Sequence, residues 1–124
     1  MRPQKFMRTD KTRYGKRHVP GVMNKTEESY AGHLELCKLA GEVILWQFEA
    51  ITFKLAPLCT FTPDFMVHLS SGEIHLVDVK GQGPIDDKSI VKIKCAAEKF
   101  PMFTFVQEKK QAKKDGGGFV RREF

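Results

Sequence analysis

The sequence predicts an α/β domain in which helices flank a mixed central sheet, and three observations predict it. Two segments carry apolar residues at spacings of three and four, β-branched and aromatic runs lie between and after them, and Gly or Pro stands at most junctions. The predicted order is helix, three strands, helix, strand, and a strand–helix–strand unit of this kind calls for a sheet covered by helices.

Taken in order, residues 1–23 are charged, lack periodicity and end near Pro20-Gly21, which predicts a basic arm ahead of the domain. A helix starts near Asn24, with Asn24 or Thr26 as its cap and Tyr30, Ala31, Leu34, Cys37 and Leu39 as its apolar stripe. Gly41 stops it. Residues 43–55 predict a long strand or a bent pair, ended by Pro57, and Trp46 and Phe48 fall on one face as core. Residues 60–69 form a second strand and residues 73–80 a third, joined through Ser70-Ser71-Gly72 as an antiparallel hairpin. Asp86 or Asp87 caps a second helix that runs to about Lys99, Pro101 ends it, and residues 102–107 make the last strand. The core domain is then 24–108, and 109–124 is a loose basic tail.

The 124 residues suffice for one modest core, and 41% hydrophobic with 29% charged residues describes a soluble globular chain. No apolar run is long enough to span a bilayer, and no apolar stretch follows the basic start as a secretory signal requires. Cys37, Cys59 and Cys95 are far apart and odd in number, which argues against a disulfide framework or a zinc knuckle and for a reducing, cytoplasmic setting. The net charge of +6 is unevenly placed. Residues 1–20 hold seven basic side chains against Asp10, residues 109–124 hold six against two acids, and the middle holds eight against twelve. Basic ends around an acidic centre suit a protein that grips phosphates at its edges and holds cations in its middle.

Two carboxylates break the pattern of their strands. In the third strand Ile74, Leu76, Asp78 and Lys80 share one face, so an acid and an amine continue a face that begins apolar. Asp64, after Pro63, shares a parity with Met66, and pairing through the 70–72 turn brings Asp64 and Asp78 near one another. Two close carboxylates repel unless a cation lies between them, and hard oxygen donors suit Mg²⁺ or Mn²⁺. Lys80 is placed to orient or help deprotonate a water and to neutralise phosphate charge. Glu27 lies on the buried face near the start of the first helix. It is either a partner in the metal site or the N3 residue of a capping box with Asn24, and Glu28 is the alternative for the first role.

The segments TPDF and VDVKG, within this order of elements, resemble the PD-(D/E)xK nuclease superfamily. More narrowly, NKTEESYAGHLELCKLAGEV, the aromatic strand, TPDF, VDVKG and SIVKIKCAAEKFPMFTFV resemble small phage-encoded nucleases that are assigned as Holliday-junction resolvases. The resemblance implies a restriction-endonuclease-like core and Mg²⁺-dependent hydrolysis of DNA phosphodiester bonds, with Mn²⁺ as a substitute. It implies Asp64 and Asp78 as metal ligands with the Val79 carbonyl, Lys80 as the lysine and Glu27 as the helical acid. It also implies branched DNA as substrate and a homodimer as the working form. Asp78 departs from the usual pattern, where Glu is more frequent. The alternatives are a nickase or general DNA-processing nuclease of the same fold, a non-catalytic basic DNA-binding protein, and, more remotely, an RNA nuclease.

Arg13, Lys16 and Arg17 in the arm and Lys88, Lys92 and Lys94 on the second helix are the candidate DNA contacts. Lys88 and Lys92 share a helical face with Lys99 close to it, which reads either as a solvated face or as a phosphate-contact ridge. His68 and His75 are expected opposite one another across the hairpin, as a surface pair. Gly116-Gly117-Gly118 lacks the lysine and hydroxyl of a phosphate loop, so no nucleotide cofactor is expected.

Overall fold

In the computed structural model, which describes residues 19–124, the first helix is α1 (Lys25–Leu39). Asn24 caps it with a complete capping box. The Asn24 side chain accepts from the Glu27 N–H at 2.8 Å, and the Asn24 N–H donates to Glu27 Oε1 at 2.9 Å. Glu27, Tyr30 and Leu34 form its buried face, while Leu39, expected in that stripe, is 85% exposed. Gly41, at φ +85°, turns the chain into β1 (Val43–Phe48).

The run 43–55 is not one strand. β1 ends at Phe48, Glu49 takes φ +50°, and its N–H donates to the Asp64 carbonyl at 2.8 Å. The chain then leaves the sheet as a separate two-stranded ribbon, β2 (Phe53–Ala56) and β3 (Cys59–Phe61), with Leu58 at φ +61° in its turn. The expected strand 60–69 is likewise divided. Pro63 has no N–H to give a ladder, so β3 stops before it and β4 (Phe65–Leu69) begins after it.

β4 and β5 (Ile74–Lys80) form the expected antiparallel hairpin, with Phe65 opposite Val77 and Val67 opposite His75. That register sets His68 opposite Ile74, so His68 and His75 lie on different faces and do not pair. α2 (Asp87–Lys99), capped by the Asp86 side chain, crosses over to β6 (Thr104–Lys110), which runs parallel to β5. The tail is ordered rather than loose. After a 3₁₀ turn at Lys113–Asp115, β7 (Phe119–Glu123) pairs antiparallel with β6 and closes a sheet of order β1-β4-β5-β6-β7. The protein is therefore an α/β fold with a five-stranded mixed sheet and one parallel pair.

The faces of β5 explain the two cores. Val77 and Val79 join Phe65, Val67 and Val106 beneath α1, with Trp46 and Phe48 flanking Phe65 at ring distances of 5.6 and 5.4 Å. Leu76 joins Phe105, Ile93 and Phe53 beneath α2 and the β2–β3 ribbon. β5 is thus covered on both faces and carries Asp78 inside the domain.

Candidate active site

The β4–β5 ladder closes with Phe65 opposite Val77, and one residue further stand Asp64 and Asp78. The side chains of such an opposed pair project from the same face. Asp64 Oδ2 also accepts the Val79 N–H at 2.8 Å, across the gap where the ladder ends. In an extended strand a residue's N–H and C=O point to the same edge, so the Val79 carbonyl faces this gap too.

Lys80 and Gln107 surround Asp78. Lys80 Nζ lies 3.4 Å from Asp78 Oδ2 and donates to Ser89 Oγ of α2 at 3.0 Å. Gln107, next to Asp78 in the β5–β6 register, directs Nε2 at the same Oδ2 from 3.5 Å. Gln107 is 2% exposed and its type is polar, so its burial calls for a partner, which Asp78 provides. Neither Gln107 nor Ser89 is among the sequence-predicted site residues. A polar residue ending the apolar run 102–107 was the available sign of the first; Ser89 has no such sign.

Glu27 reaches the same place from α1. The first turn of that helix lies against the end of β5: a Cβ on Gly81 would sit 3.5 Å from Thr26 Oγ1. Glu27 completes the capping box and lies near enough to Asp64 to raise its carboxyl. The capping-box reading of Glu27 is therefore what the contacts show, with Asp64 beside it, whereas Glu28 is exposed.

Asp64 registers the crowding. Burial, then the Asp78 charge, push its carboxyl up to about 8, with Glu27 adding to the rise and the Val79 N–H opposing it. Of these carboxylates Asp78 has the Lys80 ammonium at 3.4 Å, while Glu27 adds its charge beside Asp64. This surplus of negative charge on hard oxygen donors is the chemistry that a Mg²⁺ or Mn²⁺ ion would offset. Asp64 and Asp78 could serve such an ion as first ligands, with Glu27 and the Val79 carbonyl as further donors. Among the described residues, no three His, Cys, Asp or Glu side chains already stand in a metal-binding arrangement.

The other candidates scatter. Arg13, Lys16 and Arg17 lie outside the described residues. Lys88 is exposed on the first turn of α2. Lys92 Nζ donates to the Thr60 carbonyl at 3.0 Å, tying α2 to the ribbon, and Lys94 lines a groove with Arg122 and Phe124 at the other flank of the helix. The three are not one ridge, because positions 92 and 94 are about 200° apart around a helix.

A second buried polar cluster lies under α1. Tyr30 donates its hydroxyl to Glu108 Oε2 at 3.2 Å, and Arg121 Nη1 donates to the same oxygen at 3.1 Å. Arg121 Nη2 donates to His75 Nδ1 at 2.6 Å, which leaves Nε2 of His75 to donate to Glu73 Oε1 at 2.8 Å. Burial and the Glu108 charge push the Tyr30 hydroxyl well above its usual range. A cavity of about 420 Å³ opens beside this cluster, among His33, Cys37, His75 and Arg121.

Comparison with family models, with curated proteins and with solved structures finds no significant match.

Proposed function

We propose that this chain is a metal-dependent phosphodiesterase with a restriction-endonuclease-like core, its site formed by Glu27, Asp64, Asp78 and Lys80. The particular activity we assign is endonucleolytic cleavage of DNA, with branched DNA as the preferred substrate and a homodimer as the working form. One observation carries the reading: Asp64 and Asp78 stand opposite one another just past the β4–β5 ladder, with Glu27 beside Asp64 and Lys80 against Asp78, and the Asp64 carboxyl is held up to about 8. The order α1, hairpin β4–β5, crossover α2 and parallel β6 supports the assignment of the core.

The side chains divide the work. Lys80, fixed between Asp78 and Ser89, presents an ammonium that orients water and offsets charge gathering on the phosphate. Asp78 holds that ammonium in place, and Gln107 holds Asp78. Asp64 is fixed by the Val79 N–H and, once ionised, is a base within the cluster. A divalent ion bound by Asp64 and Asp78 would activate the attacking water and clamp the phosphate.

The test is cleavage of a labelled four-way junction beside a matched linear duplex, with Mg²⁺ and with EDTA, for the wild type and Asp78→Ala. Metal-dependent paired cuts in the junction alone, lost in the variant, are the expected result. Equal cutting of both DNAs would remove the branch preference, and binding without cutting of either would remove the enzyme.

A further inference from the structure

Among the described basic side chains some hold the fold and others, Lys25, Lys38, Lys54, Lys88 and Lys94 included, have no ion pair; only on one hairpin do four of the latter lie within six residues. Several are employed in holding the fold. Lys92 and Lys99 donate to carbonyls of the β2–β3 ribbon, Lys80 joins Asp78 to Ser89, and Arg121 joins Glu108, Glu123 and His75. Lys109, Lys110, Lys113 and Lys114 have no such employment: among the described residues none of them is ion-paired. All four lie on the β6–β7 hairpin, where Asp115 is the one acid between β6 and β7.

The hairpin has a defined shape. The Gln111 N–H donates to the Gly118 carbonyl at 2.9 Å, and the Gly117 N–H to the Ala112 carbonyl at 3.0 Å. Gly116, Gly117 and Gly118 take φ of +106°, +67° and +68°, where L side chains are strained. Lys113 and Lys114 are thereby held on a folded turn, next to Lys109 and Lys110 at the end of β6. They repel one another, and a polyanion offsets that repulsion.

Its position ties it to the site. β6 runs parallel to β5, so the Lys110 end of β6 lies at the same end of the sheet as Asp78 and Lys80. Lys109 pairs directly with Lys80 in that register, and such neighbours project from one face of strands about 4.8 Å apart. The next strand adds Arg122 opposite Gln107, on the Asp78 face. A cationic row therefore leads from Lys80 through Lys109 onto the hairpin, whose Lys113 and Lys114 are exposed.

We infer that the β6–β7 hairpin is a grip for the phosphate backbone of duplex DNA beside the cleaved bond. The inference rests on the nuclease reading for the identity of its partner. Phosphate contacts of this kind carry affinity and not sequence preference, so the grip acts alike on every duplex sequence.

Anisotropy of a fluorescein-labelled linear duplex, titrated in EDTA over a series of salt concentrations, tests it without any chemistry. The variants are Lys113→Ala/Lys114→Ala and, as a charge-matched control on exposed positions elsewhere, Lys38→Ala/Lys54→Ala. The hairpin pair should weaken binding about 10-fold at moderate salt and lower the salt slope by about 2, one phosphate contact per lysine. The control pair should change affinity less than ~2-fold. Equal weakening by both pairs, or no change in the hairpin pair, would overturn the grip. Failure of the wild type to bind DNA would overturn it too. Mg²⁺-dependent cleavage by the same preparations judges the nuclease reading separately: a wild type that cuts, with a hairpin pair that binds normally, sinks the grip alone.

Discussion

Two buried polar clusters sit on opposite faces of one sheet, and they are built on different terms. Beneath α1, Glu108 is one carboxylate with two donors, Tyr30 and Arg121, and the remaining Arg121 nitrogens are taken by His75 and Glu123. At the end of β5, Asp64 faces the Asp78 and Glu27 charges, and the Lys80 ammonium lies against Asp78. The first cluster satisfies its members and fixes β7 to the domain. The second crowds like charges together, which raises the Asp64 carboxyl. Buried polarity here thus takes two forms, one of donors matched to a carboxylate and one of carboxylates set against each other.

Activity should break the symmetry between the clusters most sharply. Asp78→Ala is expected to lower the cleavage rate toward the upper end of the ~10²–10⁴-fold range for a group acting directly, whereas Glu108→Gln should leave it within ~3-fold. Single-turnover rates on the same DNA measure both. Next comes the competition between ion and proton. Asp64 must lose its proton to serve a cation, so Mg²⁺ affinity, followed by calorimetry, should rise about tenfold per pH unit up to a plateau near 8. Lys80→Met should shift that curve little while lowering cleavage by ~10²-fold or more.

Stability sharpens the comparison further. The Asp64 carboxyl has a folded value of about 8 against an ordinary 3.9, so the native state holds a proton that the unfolded chain has lost. This contribution is complete below pH ~4 and is lost as pH rises through about 8. In metal-free buffer the wild-type Tm should fall over that window, and Asp64→Asn should raise the Tm at pH 8 by several degrees, on the order of 5 °C. Thermal unfolding at several pH values measures it. The smallest effect expected is that of Lys92→Ala. Losing its bond to the Thr60 carbonyl should cost about 0.5–1.5 kcal/mol of stability, read by urea unfolding, and leave cleavage nearly unchanged.

Much of the acidic cluster was legible because it depends on local arithmetic. A turn centred on Ser71 fixes the β4–β5 register, and alternation then puts Asp64, Asp78 and Lys80 on one face. Both helices were legible from Asn24, Asp86 and their periodicity. The ribbon was not, since its turn rests on Leu58 at φ +61°, a conformation that leucine does not announce. β7 was hidden by its approach: lysines and three glycines read as a loop, while Phe119 and Arg121 find their partners on α1 and β6. His68 and His75 were misplaced by one position of register, enough to send them to opposite faces. Lys92 looked like a free cation because a sequence does not show which carbonyls a neighbouring ribbon leaves open.

The β4–β5 hairpin also has a kinetic consequence. It is the most local pairing in the sheet, joined through a short turn, whereas β6 must wait for the whole of α2. Burial, the largest cause of the raised Asp64 carboxyl, comes only when the helices and β6 cover that hairpin. A proton kept on Asp64 should therefore delay departure from the native state more than it hastens the approach to it. Stopped-flow kinetics at pH 5 and pH 8 would show this as a displaced unfolding arm with the folding arm left nearly in place.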